Sequence, residues 1–239
     1  MIAWTQTLRE LKAVDSDHLS PWWWLIFPLA AAVALLIAGR LPREIFYLWV
    51  DSETRGALEI SQLLLSSAGF AVAIRILILP ALRRQPWLYG WVGIAAFGCL
   101  YIFGEEASWG QHYFAWNTPE SWKALNDQEE TNFHNISSWF DQKPRLMLEL
   151  GVIFGGIVVP LLAISRPSIR ENWYGVILPP LICLPSALLA EFSKMTERLL
   201  NLLPFDAYLF FRASEVQEFF FYYFVLLYLI VLHRRLRHA

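Results

Sequence analysis

Charged residues are scarce in this chain of 239 residues. Lys, Arg, Asp and Glu make up 17% of the sequence, whereas a soluble domain has about 25%. This scarcity, together with 56% hydrophobic residues and a mean hydropathy of +0.41, excludes an ordinary soluble domain. The formal net charge is −2, and no run of Lys and Arg with interleaved aromatics is present. Both observations argue against nucleic acid as a partner.

Cysteine is also nearly absent. Cys99 and Cys183 both lie inside apolar stretches, and their spacing matches neither a metal motif nor a disulfide framework. We expect both to be small apolar packing residues. The sequence also lacks internal repeats, low-complexity segments and a glycine-rich phosphate loop. These absences favour one domain that covers residues 1–239.

Long apolar runs, in contrast, are abundant. Because a membrane-spanning helix needs about 20 apolar residues, they predict an all-α, polytopic membrane helix bundle. We predict six spans, at about 22–39, 57–80, 87–104, 146–164, 173–192 and 216–232. An outward polar loop, 105–145, separates the third span from the fourth. We expect this loop to contain an amphipathic helix that lies on the membrane.

Individual residues refine this picture. Polar Gln62 and Ser66 in the second span suit contact between helices better than contact with lipid. The third span is rich in glycine, which permits close approach of a neighbouring helix at Gly90, Gly93 and Gly98. The fifth span contains prolines that predict a kink or a break, namely Pro179, Pro180 and Pro185.

The basic residues predict the orientation. The chain ends in His-Arg-Arg-Leu-Arg-His, and Lys and Arg are denser in the segments on that side of the predicted bundle. The positive-inside rule therefore places both termini in the cytoplasm. Most acids then lie on the opposite side, so we expect the titratable chemistry on the outward face.

Most outward carboxylates have a basic residue three or four positions away, which predicts ion pairs along one helix face. These pairs are Arg55–Glu59, Arg145–Glu149, Glu191–Lys194 and Arg212–Glu215. Glu105 and Glu106 differ, since no Lys or Arg lies within four residues of them. Two adjacent carboxylates beside hydrocarbon are costly to ionise together, which makes this pair a functional-site hypothesis.

Other polar residues can join the pair. His112 follows Glu105 by seven residues, two helical turns along one face. Glu130 and His134 are four apart on a helix predicted to begin at Asn126 or Asp127. Asn135 is a candidate positioning donor. On the last span, Glu218 is the candidate that points inward.

Three chemical alternatives follow. A divalent metal such as zinc, manganese or iron suits a ligand set of Glu106, His112, His134 and Glu218, although no H-E-x-x-H motif is present. A metal-free acid–base site uses Glu105 or Glu106 to activate water, with His134 or Asn135 stabilising an oxyanion. In the third alternative, these residues form a polar network that only fixes helix positions.

Three sequence fragments carry a resemblance. They are G-E-E-x-S-W-G-Q at 104–111, T-P-E at 118–120 and Q-x-E-x-N-x-H-N at 128–135. Together they resemble a family of bacterial multi-pass membrane proteins, which implies a bacterial inner-membrane protein and brings no activity with it. The Glu-Glu pair is also similar to that of CAAX-protease-like intramembrane glutamate enzymes, whose motif is E-E-x-x-x-R. Gly110 stands at the arginine position here, so this second likeness supplies only a mechanistic analogy.

We therefore expect a membrane-embedded hydrolase or transferase that acts on a lipid or lipid-linked substrate. The alternative is a non-catalytic accessory subunit that packs against a membrane-protein partner within the lipid bilayer. A transporter fits less well, because Arg75 alone places a charge deep in a predicted span, and it can extend to the cytoplasmic side.

Overall fold

The computed structural model describes residues 19–52, 56–80, 82, 85–114, 116–123, 131–133, 138–204 and 207–237. Every regular element in these ranges is helical, so the predicted all-α class is confirmed for the described part of the chain. The α-helices are α1 (Phe27–Ala38), α2 (Arg43–Trp49), α3 (Ala57–Leu77), α4 (Pro86–Glu106), α5 (Gln111–Phe114), α6 (Glu120–Lys123), α7 (Ser138–Gly151), α8 (Val159–Ser165), α9 (Leu184–Leu200) and α10 (Ala213–Arg237).

Five stretches of the described residues are long and apolar enough to cross a membrane. They are Ala57–Leu77, Pro86–Glu106, Gln142–Ser165, Gly175–Leu200 and Ala213–Arg237. The first predicted span is a shorter apolar helix, Trp22–Ala38, which opens with a π-helical segment before α1. The architecture is thus a helix bundle compatible with a multi-pass membrane protein.

The last helix, α10, forms the centre of the bundle. Of its most apolar stretch, 72% is buried inside the protein, against 17% for Gln142–Ser165. It packs against α3 and α9, and Phe220, Phe221 and Leu229 are fully buried. A helix that is apolar all round is buried in protein or in lipid. Protein surrounds most of α10, so its polar residues face other helices.

Helices α3 and α4 are consecutive, antiparallel and in close contact. A Cβ atom at Gly69 of α3 would lie 3.0 Å from Sγ of Cys99 on α4. Cys99 is buried there, as expected for a packing residue. Gln62 precedes Gly69 by seven residues and Glu106 follows Cys99 by seven. In an antiparallel pair, these two side chains therefore lie at the same level.

No neighbouring helix uses the close approach that the glycines of the third span permit. A Cβ atom added at Gly90, Gly93 or Gly98 would meet no atom within 4 Å. The buried face of α4 is formed instead by larger residues, among them Val92 and Cys99. The three glycines lie away from that face.

The predicted interruption of the fifth span is confirmed. Two 3₁₀ turns, Gly175–Ile177 and Leu181–Cys183, precede α9, and Leu178 between them is extended. Buried Arg235 of α10 donates hydrogen bonds to the carbonyl oxygens of Val176 and Leu178, both at 2.8 Å. These bonds satisfy backbone groups that a continuous helix would satisfy internally. Beyond the interruption, α9 continues to Leu200, past the predicted end of the fifth span at about residue 192.

The outward loop ends earlier than predicted. Helix α7 begins at Ser138, contains Pro144, and continues through the π-helical segment Val152–Val158 into α8. Residues 138–145 therefore belong to the fourth span's helix and not to the loop. A short helix, α6, follows Pro119. Most of the predicted amphipathic helix, 126–130 and 134–137, lies outside the described residues, but the prediction is wrong at 131–133, which are not helical.

Candidate functional site

A left-handed turn follows α4. Ser108, Trp109 and Gly110 have φ angles of 43°, 53° and 101°. Such angles are unfavourable for residues other than glycine, and here they fold the Trp109 indole back over Gly104. A Cβ atom at Gly104 would lie 2.8 Å from the indole ring. The glycines of the G-E-E-x-S-W-G motif therefore permit a tight reversal at the end of α4.

Glu105 is buried within this reversal. Its Oε1 accepts a hydrogen bond from the Trp109 indole N–H at 2.6 Å, and its Oε2 accepts one from the backbone N–H of Phe133 at 2.8 Å. One carboxylate thus fastens both the turn and residues 131–133 to the end of α4. Hydrogen bonds to an ionised acceptor are among the stronger ones. Glu105 therefore has a structural role, because its two hydrogen bonds hold the turn and residues 131–133.

Other residues of the same motifs hydrogen-bond one another. Gln111 Oε1 accepts bonds from the backbone N–H and the hydroxyl of Thr131, at 2.6 and 2.5 Å. Gln111 Nε2 donates to Thr118 Oγ1 at 2.7 Å, and Asn132 Nδ2 donates to Ser108 Oγ at 3.1 Å. The three sequence fragments therefore meet in a single polar network, which we call the loop network.

Glu106 points the other way, into the bundle. Its Oε1 accepts a hydrogen bond of 3.0 Å from the hydroxyl of Tyr222 on α10. It also interacts electrostatically with Glu218, Glu59 and Glu215. Adjacent residues on a helix point about 100° apart. The two neighbouring carboxylates therefore lie in different surroundings. Glu105 is hydrogen-bonded within the loop network. Glu106 lies between α3, α4 and α10 with Glu59, Glu215 and Glu218, and we call these four residues the acid group.

Arginines hold two members of this acid group. Arg145 Nη1 lies 3.0 Å from Glu218 Oε1, and Arg212 Nη2 lies 3.1 Å from Glu215 Oε1. Arg212 also pairs with Asp51 at 3.0 Å. Among the described residues, no Lys or Arg forms an ion pair with Glu106. The Tyr222 hydroxyl, a neutral donor, takes that place.

The predicted ion pairs along single helices are partly wrong. Arg212–Glu215 is confirmed, but Arg145 pairs with Glu218, and Glu149 pairs with Arg198 at 3.3 Å. Lys194 pairs with Glu197 instead of Glu191 and also donates to the Ser214 hydroxyl at 2.7 Å. Arg145 and Arg198 reach acids on neighbouring helices, and Lys194 pairs with the later of two acids on its own helix, so sequence spacing alone does not determine these pairs. Arg55 of the fourth pair lies outside the described residues.

Gln62 brings an amide to the same level of the bundle. Its side chain is fully buried, and Nε2 donates to the backbone carbonyl of Glu215 at 3.1 Å. Its Oε1 is buried and has no hydrogen-bond partner among the described residues. A buried acceptor without a donor costs about 1–3 kcal/mol. Gln62 Oε1 and the carboxylate of Glu106 both suit a ligand that donates protons or carries positive charge.

The structure places the side chains of three of the six predicted site residues, Glu105, Glu106 and Glu218. Glu106 and Glu218 come within electrostatic range of each other, whereas Glu105 points into the loop network. His134 and Asn135 lie outside the described residues, as does the side chain of His112. In the part of the chain that the structure describes, no group of three His, Cys, Asp or Glu residues is arranged to hold a metal ion. The metal ligand set, which relies on both histidines, stays a prediction.

Three residues beside the acid group were not predicted from the sequence as contributors to the site: Tyr222, Gln62 and Arg145. Tyr222 follows Glu218 by one helical turn, and Gln62 follows Glu59 by three residues, so each shares a helix face with an acid. That periodicity could have identified them. No sequence signal identifies Arg145, because its partner is on another helix.

Neither protein-family models, nor curated proteins, nor solved structures match this chain. Its function therefore has to be argued from the chemistry of the acid group and of its surroundings.

Proposed function

We propose that this protein is a membrane-embedded hydrolase or transferase that acts on a lipid or lipid-linked substrate, with Glu106 as the reacting carboxylate. One observation supports this role above others. Glu106 is the last residue of the apolar helix α4 and accepts a hydrogen bond from the neutral hydroxyl of Tyr222. Three further carboxylates interact with it electrostatically. A carboxylate without a cationic partner is better suited to accept a proton than one held by arginine.

The proposed chemistry is general base catalysis. As the oxygen of water attacks the electrophilic carbon or phosphorus of the substrate, Glu106 takes a proton from that water. The bond to the leaving alkoxide breaks, and the proton passes from Glu106 to the alkoxide oxygen. In a transferase, an alcohol replaces the water. Tyr222 holds one carboxylate oxygen, which orients the other.

Aromatic side chains near the end of α4 support a lipid or lipid-linked substrate. Tyr113, Phe114 and Trp116 are exposed, and the rings of Phe114 and Trp116 are stacked with their centroids 6.0 Å apart. Aromatic residues are favoured at the boundary between membrane and water. Flat apolar rings at this depth can hold acyl or glycosyl groups.

The proposed setting is a bacterial inner membrane, crossed by six helices that include Trp22–Ala38, with both termini in the cytoplasm. The basic residues that end α10 support this orientation: Arg234, Arg235 and Arg237. Reporter fusions at the C terminus and within 116–123 test it. A C-terminal reporter that is active only outside the cytoplasm would reverse the orientation.

A divalent metal, whether zinc, manganese or iron, would give this proposal a second form. Glu106 and Glu218 would then act with His112 and His134. Arg145, 3.0 Å from Glu218, competes with a metal for that carboxylate and favours the metal-free form. Metal analysis of purified wild-type protein and of the Glu106→Gln and His134→Ala variants tests the choice, since unchanged metal content in both variants would end the metal form.

A second candidate function is a non-catalytic accessory subunit of a membrane complex. The ion pairs favour it, because Glu149, Glu197, Glu215 and Glu218 are each held by Arg or Lys. The loop network favours it as well, since it explains the conspicuous motif residues by hydrogen bonding alone. The partner would be another membrane protein that covers the exposed aromatic residues.

A lipid turnover assay separates the two candidates. Purified protein is placed in vesicles made from the polar lipid extract of the expression host, and lipid products are followed by mass spectrometry. We expect time-dependent products with the wild type, a loss of at least about 100-fold with Glu106→Gln, and a smaller loss with Tyr222→Phe. Glu44→Gln, which changes an exposed acid on α2, is the control and should leave turnover unchanged.

The opposite result is equally specific. If no lipid changes, and if the wild type and Glu106→Gln purify with the same membrane protein in equal amounts, the enzyme proposal is wrong. The accessory function would then stand.

A further inference from the structure

Three helices of the bundle meet at Gly69. A Cβ atom at this position of α3 would lie 3.0 Å from Sγ of Cys99 on α4 and 3.8 Å from Cδ1 of Leu229 on α10. Seven residues away on each helix, toward the same end of the bundle, is a polar residue: Gln62 on α3, Glu106 on α4 and Tyr222 on α10. Because seven residues make about two helical turns, each of these lies on the face that its helix turns toward the other two. We call this level of the bundle the junction.

The junction offers hydrogen-bond acceptors on all three helices. Gln62 is fully buried, and because its Nε2 donates to the carbonyl oxygen of Glu215, Oε1 is the atom left over. This Oε1 has no hydrogen-bond partner among the described residues. Glu106 contributes a carboxylate, whose Oε1 accepts a bond from Tyr222. The Tyr222 oxygen can itself accept a bond, since its only proton is donated to Glu106.

The charges at the junction favour a ligand with one positive charge. Arg145 and Arg212 already pair with two neighbouring acids, Glu218 and Glu215. Glu106 pairs with no Lys or Arg in the described part of the chain, and its hydrogen-bond donor is a neutral hydroxyl. A monovalent cation that also donates hydrogen bonds would neutralise Glu106 and satisfy the buried acceptor.

The junction can be reached from the membrane. Glu106 is partly exposed. Phe103, three residues earlier and about 60° round α4, is 38% exposed, and it belongs to a helix long and apolar enough to cross a membrane. An acyl chain can therefore lie against Phe103 while the headgroup of the same lipid reaches Glu106.

We propose that the junction binds a primary ammonium group, and that this amine accepts an acyl group from a lipid ester. A primary ammonium has three N–H donors, no acceptor and one positive charge. These properties match the acceptors of Gln62, Glu106 and Tyr222. An aminophospholipid such as phosphatidylethanolamine carries this group on its headgroup. The inference rests on the proposed function in its transferase form, with an amine in place of the alcohol.

The proposed step uses Glu106 as the base. Glu106 takes a proton from the ammonium, and the neutral nitrogen attacks the carbonyl carbon of the lipid ester. The C–N bond forms, the ester C–O bond breaks, and the proton on Glu106 passes to the leaving alkoxide. The nitrogen then releases a second proton to water. The products are an amide with one N–H and an alcohol.

Native mass spectrometry of the detergent-purified protein tests the ammonium site without turnover. The probes are phosphatidylethanolamine and phosphatidylcholine with the same acyl chains, whose quaternary nitrogen has no N–H. We expect phosphatidylethanolamine to bind at least about 10-fold more tightly to the wild type, because hydrogen bonds between charged groups and buried acceptors are strong. Gln62→Leu should remove most of this preference. The matched control Gln217→Leu replaces another fully buried glutamine, five residues before Tyr222 and about 140° round α10, and should keep it.

Product analysis tests the amine as the acyl acceptor. The wild type is placed in vesicles of phosphatidylethanolamine and phosphatidylcholine, and the lipids are followed by mass spectrometry. We expect N-acylated phosphatidylethanolamine and lysophospholipid in equal amounts, and neither with Glu106→Gln. Vesicles of phosphatidylcholine with dissolved ethanolamine test a soluble source of the same ammonium group, which would give an N-acyl ethanolamine.

Several results would contradict the inference. Equal binding of the two lipids by the wild type would overturn it, as would equal loss of the preference in Gln62→Leu and Gln217→Leu. If Gln62→Leu does not fold, Tyr222→Phe takes its place, since it removes one acceptor and keeps the ring. Fatty acid and lysophospholipid without any amide would overturn the inference and leave the proposed hydrolase standing. Lipids that stay unchanged in all vesicles would overturn the proposed function as well.

Discussion

The hydroxyl of Tyr222 donates a hydrogen bond to Glu106 Oε1 across the interface between α10 and α4, at 3.0 Å. The preceding residue, Glu105, is instead bonded to the Trp109 indole and to the backbone of Phe133. Two adjacent acids of the same type are thus divided between the bundle and the loop network. Their substitution should therefore have different consequences.

Replacing Glu218 should cost more stability than replacing Glu106. Glu218→Gln removes the carboxylate that lies 3.0 Å from Arg145. The side chains of Glu218 and Arg145 are 17% and 26% exposed, so the loss of stability should be smaller than the ~3–5 kcal/mol that breaking a fully buried pair costs. We expect a loss of about 1–3 kcal/mol. Glu106→Gln removes repulsion from Glu59, Glu215 and Glu218 and should leave stability unchanged or raise it. Thermal unfolding in detergent measures both, and equal losses would contradict the division between paired and unpaired acids.

Replacing Glu105 should loosen the loop. Glu105→Ala removes two hydrogen bonds to a charged acceptor, so we expect a loss of about 2–4 kcal/mol and faster protease cleavage near residues 131–133. Glu120→Ala is the control. Its carboxylate is 89% exposed in the pair with Lys123, and such pairs contribute little. Protease resistance of Glu105→Ala equal to that of the control would show that Glu105 does not fasten the loop.

Two glycines of α4 should differ in their tolerance of alanine. Gly104→Ala places a methyl group 2.8 Å from the Trp109 ring, so the indole has to move and its bond to Glu105 weakens. We expect a loss of about 1–3 kcal/mol. Gly98→Ala meets no atom within 4 Å and should be neutral or stabilising by up to about 1 kcal/mol. Tryptophan fluorescence and melting temperature report both, and a neutral Gly104→Ala would contradict the packing of Trp109.

Arg235 should stabilise the interrupted fifth span. Arg235→Gln removes two hydrogen bonds of 2.8 Å and leaves the carbonyls of Val176 and Leu178 without this donor. We expect a loss of about 2–4 kcal/mol and faster amide hydrogen exchange in 175–183. The exposed neighbour variant Arg237→Gln serves as the control. Similar exchange in both variants would argue against a supporting role for Arg235.

Several features could be predicted from the sequence because their causes are local. Apolar length predicted helices at the five long stretches, since a bilayer or a buried core demands the same composition. Pro179 and Pro180 predicted the break before α9, because proline has no backbone N–H that could donate a helical hydrogen bond. Arg212 and Glu215, three residues apart, formed the pair that helical spacing predicts. Glu106 differs from most other acids already in the sequence, because no Lys or Arg lies within four residues of it.

The remaining features were decided by packing between distant segments. Nothing in the spacing of Arg145 distinguishes Glu149 from Glu218, and only the approach of α7 to α10 selects the latter. The glycines of α4 looked equivalent, but only the turn after α4 brings the Trp109 indole onto Gly104.

The sequence by itself determined where helices form and which acids lack a local base, because propensity, proline chemistry and apolar length act within a few residues. Only the tertiary structure decided that Glu105 serves the loop and Glu106 the bundle. Two neighbours on a helix diverge by about 100°, and what each one meets depends on elements far away in the chain. Only the fold brings Phe133 to Glu105 and Tyr222 to Glu106 at the end of α4.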